Sequence, residues 1–374
     1  MSELSQGFSL NTTFFSLVER NYSGVEQSMR ISIIVPVYNN AKDLPECLAA
    51  LMGSNCPSSE IIVVDDGSTD DTPTIADRMG VKVIRLGENS GVAAARNCGA
   101  RHARGEILFF VDADVVVAPG AVERVVKVFE DNPELSAVFG SYDAQPRARG
   151  IVSQYRNLLH HFGHQNGNPE ASTFWAGCGA VRRSAFQEIG GFDAKRFRYP
   201  SIEDIELGYR LRQAGHRILL DKALQGTHLK HWNLRSIIWT DIARRAIPWS
   251  RLILETKKLP NDLNVEFGQR VSFVLLAFAC AFLALAVVQP KLLTVSAAAL
   301  LGVGVLNRKL YLVFFRHRGI FFTAACIPLH LLYYLYSGLS YLYVWAEFQL
   351  RRVVTVRRIS ALKAVAEPLK TEKL

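Results

Sequence analysis

The chain has 374 residues and only six cysteines, and their spacing suggests no pairing. Cys47, Cys56, Cys98, Cys178, Cys280 and Cys326 form no CxxC, so neither a zinc site nor a disulfide framework is supported. Reduced thiols in a cytosolic body are the expectation. Residues 1–30 lack the basic n-region and long apolar core of a signal peptide. There is no internal repeat and no low-complexity tract. Charged residues make up 21% of the chain against 49% hydrophobic, which excludes the disordered class. The net charge is +9, yet the first 234 residues have no basic excess; Arg235–Leu374 alone carries 19 Lys and Arg against 7 Asp and Glu. A nucleic-acid-binding protein would carry its basic face on the soluble part, so no nucleic-acid partner is expected.

The C-terminal end is strongly apolar. Val271–Val288, Leu292–Leu306 and Gly319–Ala346 are three apolar segments within residues 270–346, parted by Gln289-Pro290-Lys291 and by the charged Asn307–Arg318. The first and third are long enough to cross a bilayer; the second, about fifteen residues, reads as a span or as a re-entrant segment. A basic, Trp-bearing stretch at residues 236–269 precedes them and a basic tail at 347–374 follows. Basic flanks of this kind predict an anionic membrane surface and a cytoplasmic side. Three crossings would place Arg351, Arg352, Arg357 and Arg358 outside, against that rule. The short second segment is therefore the one expected not to cross.

Residues 31–142 alternate in period. Ile31–Val37, Glu60–Asp65, Val81–Leu86 and Glu106–Asp112 are short β-branched or aromatic runs, with helix-like stretches at Asp43–Met52, Thr72–Met79 and Gly91–Ala103 between them. Nearly continuous apolar strands alternating with helices predict a parallel sheet covered on both faces. Ligands bind such sheets beyond the carboxyl ends of the strands. Three strands end there in polar residues: Tyr38-Asn39, Asp65-Asp66 and Asp112-Ala113-Asp114.

Each cluster has a plain reading and a chemical one. Pro36 fixes φ and offers no N–H, so it either ends a strand in a turn or turns it outward to present Tyr38 to a base. One acid of Asp65-Asp66-Gly67-Ser68 satisfies loop amides, which leaves the second to explain. Ser90 is an expected N-cap for the helix that follows. Arg96 on that helix is a solvated surface residue or, with the helix N-terminus, part of a diphosphate site. Asp112 and Asp114 share one side of an extended chain, and two carboxylates at a buried tip repel unless a cation lies between them. A divalent ion, Mg2+ or Mn2+, held by a carboxylate and phosphate oxygens fits that need. Ser201 and Asp204 have capping-box spacing, so Asp204 either caps the helix running to Gln213 or keeps its carboxylate for chemistry. His228 and His231 are a surface pair or contacts to diphosphate or metal.

Val35–Asn39, Val64–Asp70, Gly91–Asn97, Val111–Asp114 and Gly190–Asp193 leading into Glu203-Asp204 together resemble glycosyltransferase family 2, inverting GT-A enzymes that use nucleotide-sugars. The resemblance covers residues 31–235. It implies an α/β GT-A domain with a mostly parallel, Rossmann-like sheet and helices on both faces, followed here by transmembrane helices. It also implies Pro36 and Tyr38 against the nucleobase, Asp66 accepting a base N–H, and Arg96 near the nucleotide. Asp112 would lie near ribose and metal and Asp114 at the metal; beside what the resemblance implies, His228 is a further metal candidate and Glu203 a substrate-binding candidate. Asp204 would be the general base. Arg244–Trp249 falls where processive synthases of the family carry Gln-x-x-Arg-Trp. Only Trp249 matches, so polymerisation is not expected, and Trp249 is an acceptor platform or an interface anchor. The expected activity is transfer from a nucleotide-sugar, UDP-linked with GDP as the alternative, to a lipid or lipid-linked glycan. The catalytic domain would sit on the cytosolic side of a multi-pass cytoplasmic membrane protein.

Overall fold

In the computed structural model the described residues are 30–56, 59–256 and 267–366, with side chains described as far as Arg352. The N-terminal extension, residues 257–266 of the basic stretch and the end of the tail lie outside them.

Eight strands form one sheet: β1 Ile31–Val37, β2 Ser59–Asp65, β3 Lys82–Arg85, β4 Ile107–Val111, β5 Val115–Val117, β6 Leu135–Tyr142, β7 Cys178–Arg182 and β8 Arg217–His228. Their order is β3-β2-β1-β4-β7-β6-β8-β5. The expected parallel pairing holds for β3-β2-β1-β4 and again for β6 with β8. The sheet is nevertheless mixed: β7 runs antiparallel to β4 and β6, and β5 antiparallel to β8. Chain length accounts for β5. Only Asp112–Asp114 separate β4 from β5, far too few residues for a parallel crossover, so β5 leaves its predecessor and pairs at the far edge. The two aspartates are thus the corner between a central strand and an edge strand.

Every residue of β1 is buried. Ile31, Ile33 and Val35 face one core with Leu44, Leu48 and Phe129. Ile34 faces the other with Val64, Phe110 and Leu207. The period-two alternation thus divides one apolar strand between two helical layers. Leu44–Met52 and Ala121–Asp131 cover the first face; Val92–His102, Arg183–Glu188 and Glu203–Gln213 cover the second.

The C-terminal part is helical. Leu234–Trp239 runs into a π-helical turn, Thr240–Ala246, and then into Ile247–Thr256. Phe267–Leu285 (19 residues) and Arg308–Arg352 (45 residues) are long and apolar enough to cross a membrane. Leu292–Leu306 has 15 residues and falls short, so the segment expected not to cross is the one that lacks the length. The charged segment after Asn307 is helix from Arg308 onward. The helix Arg308–Ala366 departs from helical geometry at Gly319, with φ 78° and ψ −177°. Its charges include a docked residue. Arg318 Nε donates to Gln154 Oε1 at 2.6 Å and Nη2 to the Ala144 carbonyl at 2.9 Å. Leu310 and Phe314 pack there against Tyr155 and Leu158 of the helix Ile151–Asn166.

Candidate active site

A cavity of about 820 Å³ lies beyond the carboxyl ends of β1, β2 and β4. All ten residues singled out from the sequence line it: Pro36, Tyr38, Asp66, Arg96, Asp112, Asp114, Glu203, Asp204, His228 and Trp249. His231 is outside this lining.

Tyr38 stands at the rim, 47% exposed. Just beyond it Asn39 turns the chain with φ 48°, a left-handed conformation that Asn tolerates. Its Oδ1 accepts the Thr69 amide at 2.7 Å, which ties the first strand end to the second. Asp66 is buried, and its two carboxylate oxygens accept the Ser90 and Gly91 amides, each at 2.8 Å. Burial nevertheless keeps this carboxyl above its ordinary range. Ser90 is not the N-cap of the next helix. Gly91 is, at φ 94°, and a Cβ there would collide with the Arg198 carbonyl.

Arg96 is not a solvated surface residue. It is buried, with Nη1 donating to Glu203 Oε1 at 2.8 Å and Nη2 to Asp112 Oδ1 at 2.7 Å. The guanidinium also lies over the Phe192 ring. It therefore joins the corner after β4 to the start of the helix Glu203–Gln213. Burial raises the Asp112 carboxyl above its usual range although Arg96 pulls it down. Asp114 moves the other way: burial pushes it up, but His228, with Nε2 3.6 Å from Oδ2, brings it below the ordinary value.

The capping-box reading of Ser201 and Asp204 fails. The N-cap is Ile202, without a side-chain cap, and the Ser201 hydroxyl donates to the Arg244 carbonyl at 2.7 Å. Asp204 accepts the Ile205 amide on Oδ1 at 2.8 Å and the Ala176 amide on Oδ2 at 3.2 Å. A helix N-terminus favours the ionised carboxylate. Here burial and the neighbouring Glu203 charge outweigh it and push the Asp204 carboxyl up to about 7, with Arg96 opposing. A buried carboxyl that titrates near neutrality, with each oxygen held by one amide and lone pairs to spare, is suited to accept a proton.

Trp249 is no interface anchor. It is 9% exposed, and its indole N–H donates to the Tyr209 hydroxyl at 3.1 Å. The exposed tryptophan of this stretch is Trp239, at 64%. Residues not picked out as site residues from the sequence complete the wall, among them Tyr142, His160, Trp175, Lys230 and Arg245. Arg245 Nη1 donates to His160 Nε2 at 2.8 Å, and burial keeps that imidazole neutral, well below its ordinary pKa. The π-helical turn brings Arg244 and Arg245 to the cavity. The i, i+4 spacing of His160 and His164 was the available signal, since it puts two imidazoles on one helix face.

Residues 32–190 match the family model described as Glycosyl transferase family 2. An uncharacterized glycosyltransferase of Haemophilus influenzae is 30% identical over 195 residues, covering 49% of this chain and 62% of that protein. The uncharacterized glycosyltransferase YwdF of Bacillus subtilis is 31% identical over 175 residues, covering 46% and 65%. The chain thus spans less than two thirds of either relative's length. The solved mannosyltransferase PcManGT from Pyrobaculum calidifontis, in complex with GDP-Man and Mn2+, is similar with a TM-score of 0.53 at 20% identity, over 88% of this chain and 94% of that one. Residues 32–190 are thus similar to glycosyltransferase family 2, and the likeness to the solved structure shows a GT-A-like fold.

Proposed function

We propose that the chain is an inverting, metal-dependent glycosyltransferase, anchored in a membrane, that moves a sugar from a nucleotide-sugar to a lipid or lipid-linked glycan. The observation that carries this reading is the convergence of Asp112, Asp114, Glu203 and Asp204 on one cavity, with Arg96 tying two of them together.

Tyr38 at the rim and Asp66 beneath it are the base side of the donor site. Both Asp66 oxygens already hold amides, so it contributes a shaped floor and its remaining lone pairs. UDP is the first choice of nucleotide and GDP the second, since an N–H on either base can meet that carboxylate. Among the described residues no three His, Cys, Asp or Glu converge into a metal cage. A divalent ion that takes one or two carboxylates together with substrate phosphates does not require one. Asp114 and His228 would hold it, with the Asp112 oxygen not bonded to Arg96 beside them. The chemistry it supplies when bound is neutralisation of charge on the leaving diphosphate. Asp204 takes the proton of the acceptor hydroxyl while that oxygen bonds to the anomeric carbon and the bond from that carbon to the diphosphate breaks. A single base opposite the leaving group gives inversion. Trp249 and its neighbours form the acceptor side.

The helices Phe267–Leu285 and Arg308–Arg352 support the anchor. Phe278, Leu283 and Phe321 point outward, where a soluble-core helix would bury them. To test the reading, membranes carrying the full chain are supplied with UDP- and GDP-sugars, Mn2+ or Mg2+, and lipid-linked acceptors. Nucleoside diphosphate release with an inverted product is expected. Retention of configuration, or no turnover with any donor, overturns it.

A further inference from the structure

A second cavity, of about 410 Å³, lies among the helices Ile247–Thr256, Phe267–Leu285 and Arg308–Ala366. Three residues, Arg156, Arg245 and Trp249, line both this cavity and the catalytic one. We propose that it admits the acceptor: the first part of a lipid-linked saccharide's hydrocarbon chain lies in it, the phosphate linker rests at Arg245, and the sugar passes Trp249 to reach Asp204. This rests on the glycosyltransferase reading and names the acceptor's chemistry and route.

The lining matches such a molecule from end to end. Phe273 and Val274 come from one helix of spanning length, Tyr341 and Leu342 from the other. A chain that enters between them arrives from the hydrocarbon layer without exposure to water. The inner part is cationic: Arg156, Arg245 and Arg270 line the cavity against one acid, Asp241. That acid is already engaged, paired with Arg156 at 2.8 Å and accepting the Tyr336 hydroxyl at 2.6 Å. Arg245 faces the neutral His160 instead of a carboxylate, so its charge remains for an anion. A guanidinium in that state at the junction of two cavities suits a phosphate. Trp249 stands at the same junction, its ring fixed through the Tyr209 hydroxyl, and offers a flat amphipathic face to a sugar. A lipid monophosphate would bring its own anionic nucleophile and leave Asp204 without a proton to take. The saccharide hydroxyl is the acceptor that uses the whole site.

The test uses the full chain in phosphatidylcholine nanodiscs and a benzophenone-tagged polyprenyl diphosphate sugar as the probe. Photolabelling should fall on peptides covering residues 241–253 and 333–342. Unlabelled polyprenyl diphosphate should compete, whereas inorganic diphosphate and phosphatidylglycerol should not. Labelling elsewhere, or equal competition by phosphatidylglycerol, overturns the proposal, because the cavity would then hold ordinary anionic lipid. In turnover, Val274→Trp, which fills the outer part, should raise the KM for the lipid-linked acceptor at least tenfold and leave nucleotide-sugar affinity unchanged. Arg245→Gln should weaken use of the diphosphate-linked acceptor at least tenfold but spare a neutral alkyl glycoside of the same sugar. Wild-type behaviour in both variants, or equal loss on both acceptors for Arg245→Gln, overturns it. A wild-type chain that binds no nucleotide-sugar would instead count against the glycosyltransferase reading, since the photolabelling needs no turnover.

Discussion

Arg96 and Glu203 lie 107 residues apart in the chain and meet at 2.8 Å, both almost wholly buried. Removing one partner of such a pair strands the other charge in the interior, at a cost of about 3–5 kcal/mol. Arg96→Ala should therefore lower stability by that order, read from the denaturation midpoint. The double variant Arg96→Met with Glu203→Leu should recover most of the loss, since apolar isosteres replace buried pairs at little cost. Activity should not return with stability, because Asp112 would still lack its guanidinium. A double variant as unstable as the single one would show that the pair is not the source.

Asp204→Asn separates the two tasks of one side chain. The single amide oxygen can replace only one of the two carboxylate oxygens that accept the Ile205 and Ala176 amides, so stability should fall by about 1–3 kcal/mol, the cost of one buried donor left without a partner. Turnover should fall by roughly 10²–10⁴ while nucleotide-sugar affinity stays level. Wild-type turnover in this variant would remove Asp204 from the chemistry.

The pH profile follows from the same residue. With its carboxyl pushed up to about 7, Asp204 is protonated and inactive as a base in mild acid. The kcat/KM should rise with pH through about 7, and the Asp204→Asn variant should lack that limb. For stability the sign is opposite. The folded state binds this proton more tightly than the unfolded state, so the Asp204 contribution to stability is lost as pH rises from the unfolded value toward 7. Denaturation at pH 5 and pH 8 in wild type and Asp204→Asn measures it. A wild-type profile flat across pH 6–8 would contradict the assignment.

Asp114→Asn should leave the fold intact, since the side chain lies at a strand corner and its described ion-pair partner is His228. Turnover should lose its dependence on added Mn2+ or Mg2+ along with most of its rate. Undiminished wild-type turnover in EDTA would end the metal role.

The C-terminal helices also cover part of the α/β body. Deleting residues 267–374 uncovers Tyr155 and Leu158, which Leu310 and Phe314 now cover. Each such side chain loses about 1.5–3 kcal/mol of burial. The truncated body should therefore require detergent and elute as aggregate in size-exclusion chromatography without it. A monodisperse, detergent-free body would show that the contact is dispensable.

The first half of the fold was legible because its strands are buried on both faces and leave an unbroken apolar record, as in Ile31–Val37. Acids placed at the ends of such strands have one destination, so Asp66, Asp112 and Asp114 could be assigned to the cavity from sequence alone. The mixed half was not legible, because the pairing of β5 with β8 depends on a three-residue corner rather than on any pattern within β5. Sequence alone could not decide between a solvated and a site Arg96, because its partners Asp112 and Glu203 stand 16 and 107 residues away. The docking of Arg318 was not legible either, since Gln154 and Ala144 lie in no local window.

The close approach of Gly91 to the Arg198 carbonyl sets a mechanical limit on this site. Where the two segments touch there is no clearance for even a methyl group, so donor-side helix and acceptor-side loop cannot be adjusted independently. Widening the site for a bulkier sugar at position 91 would push the segment leading to Ser201, Glu203 and Asp204 out of register. Redesign of donor preference therefore has to begin at the open rim around Tyr38, where a change of side chain displaces solvent rather than the base.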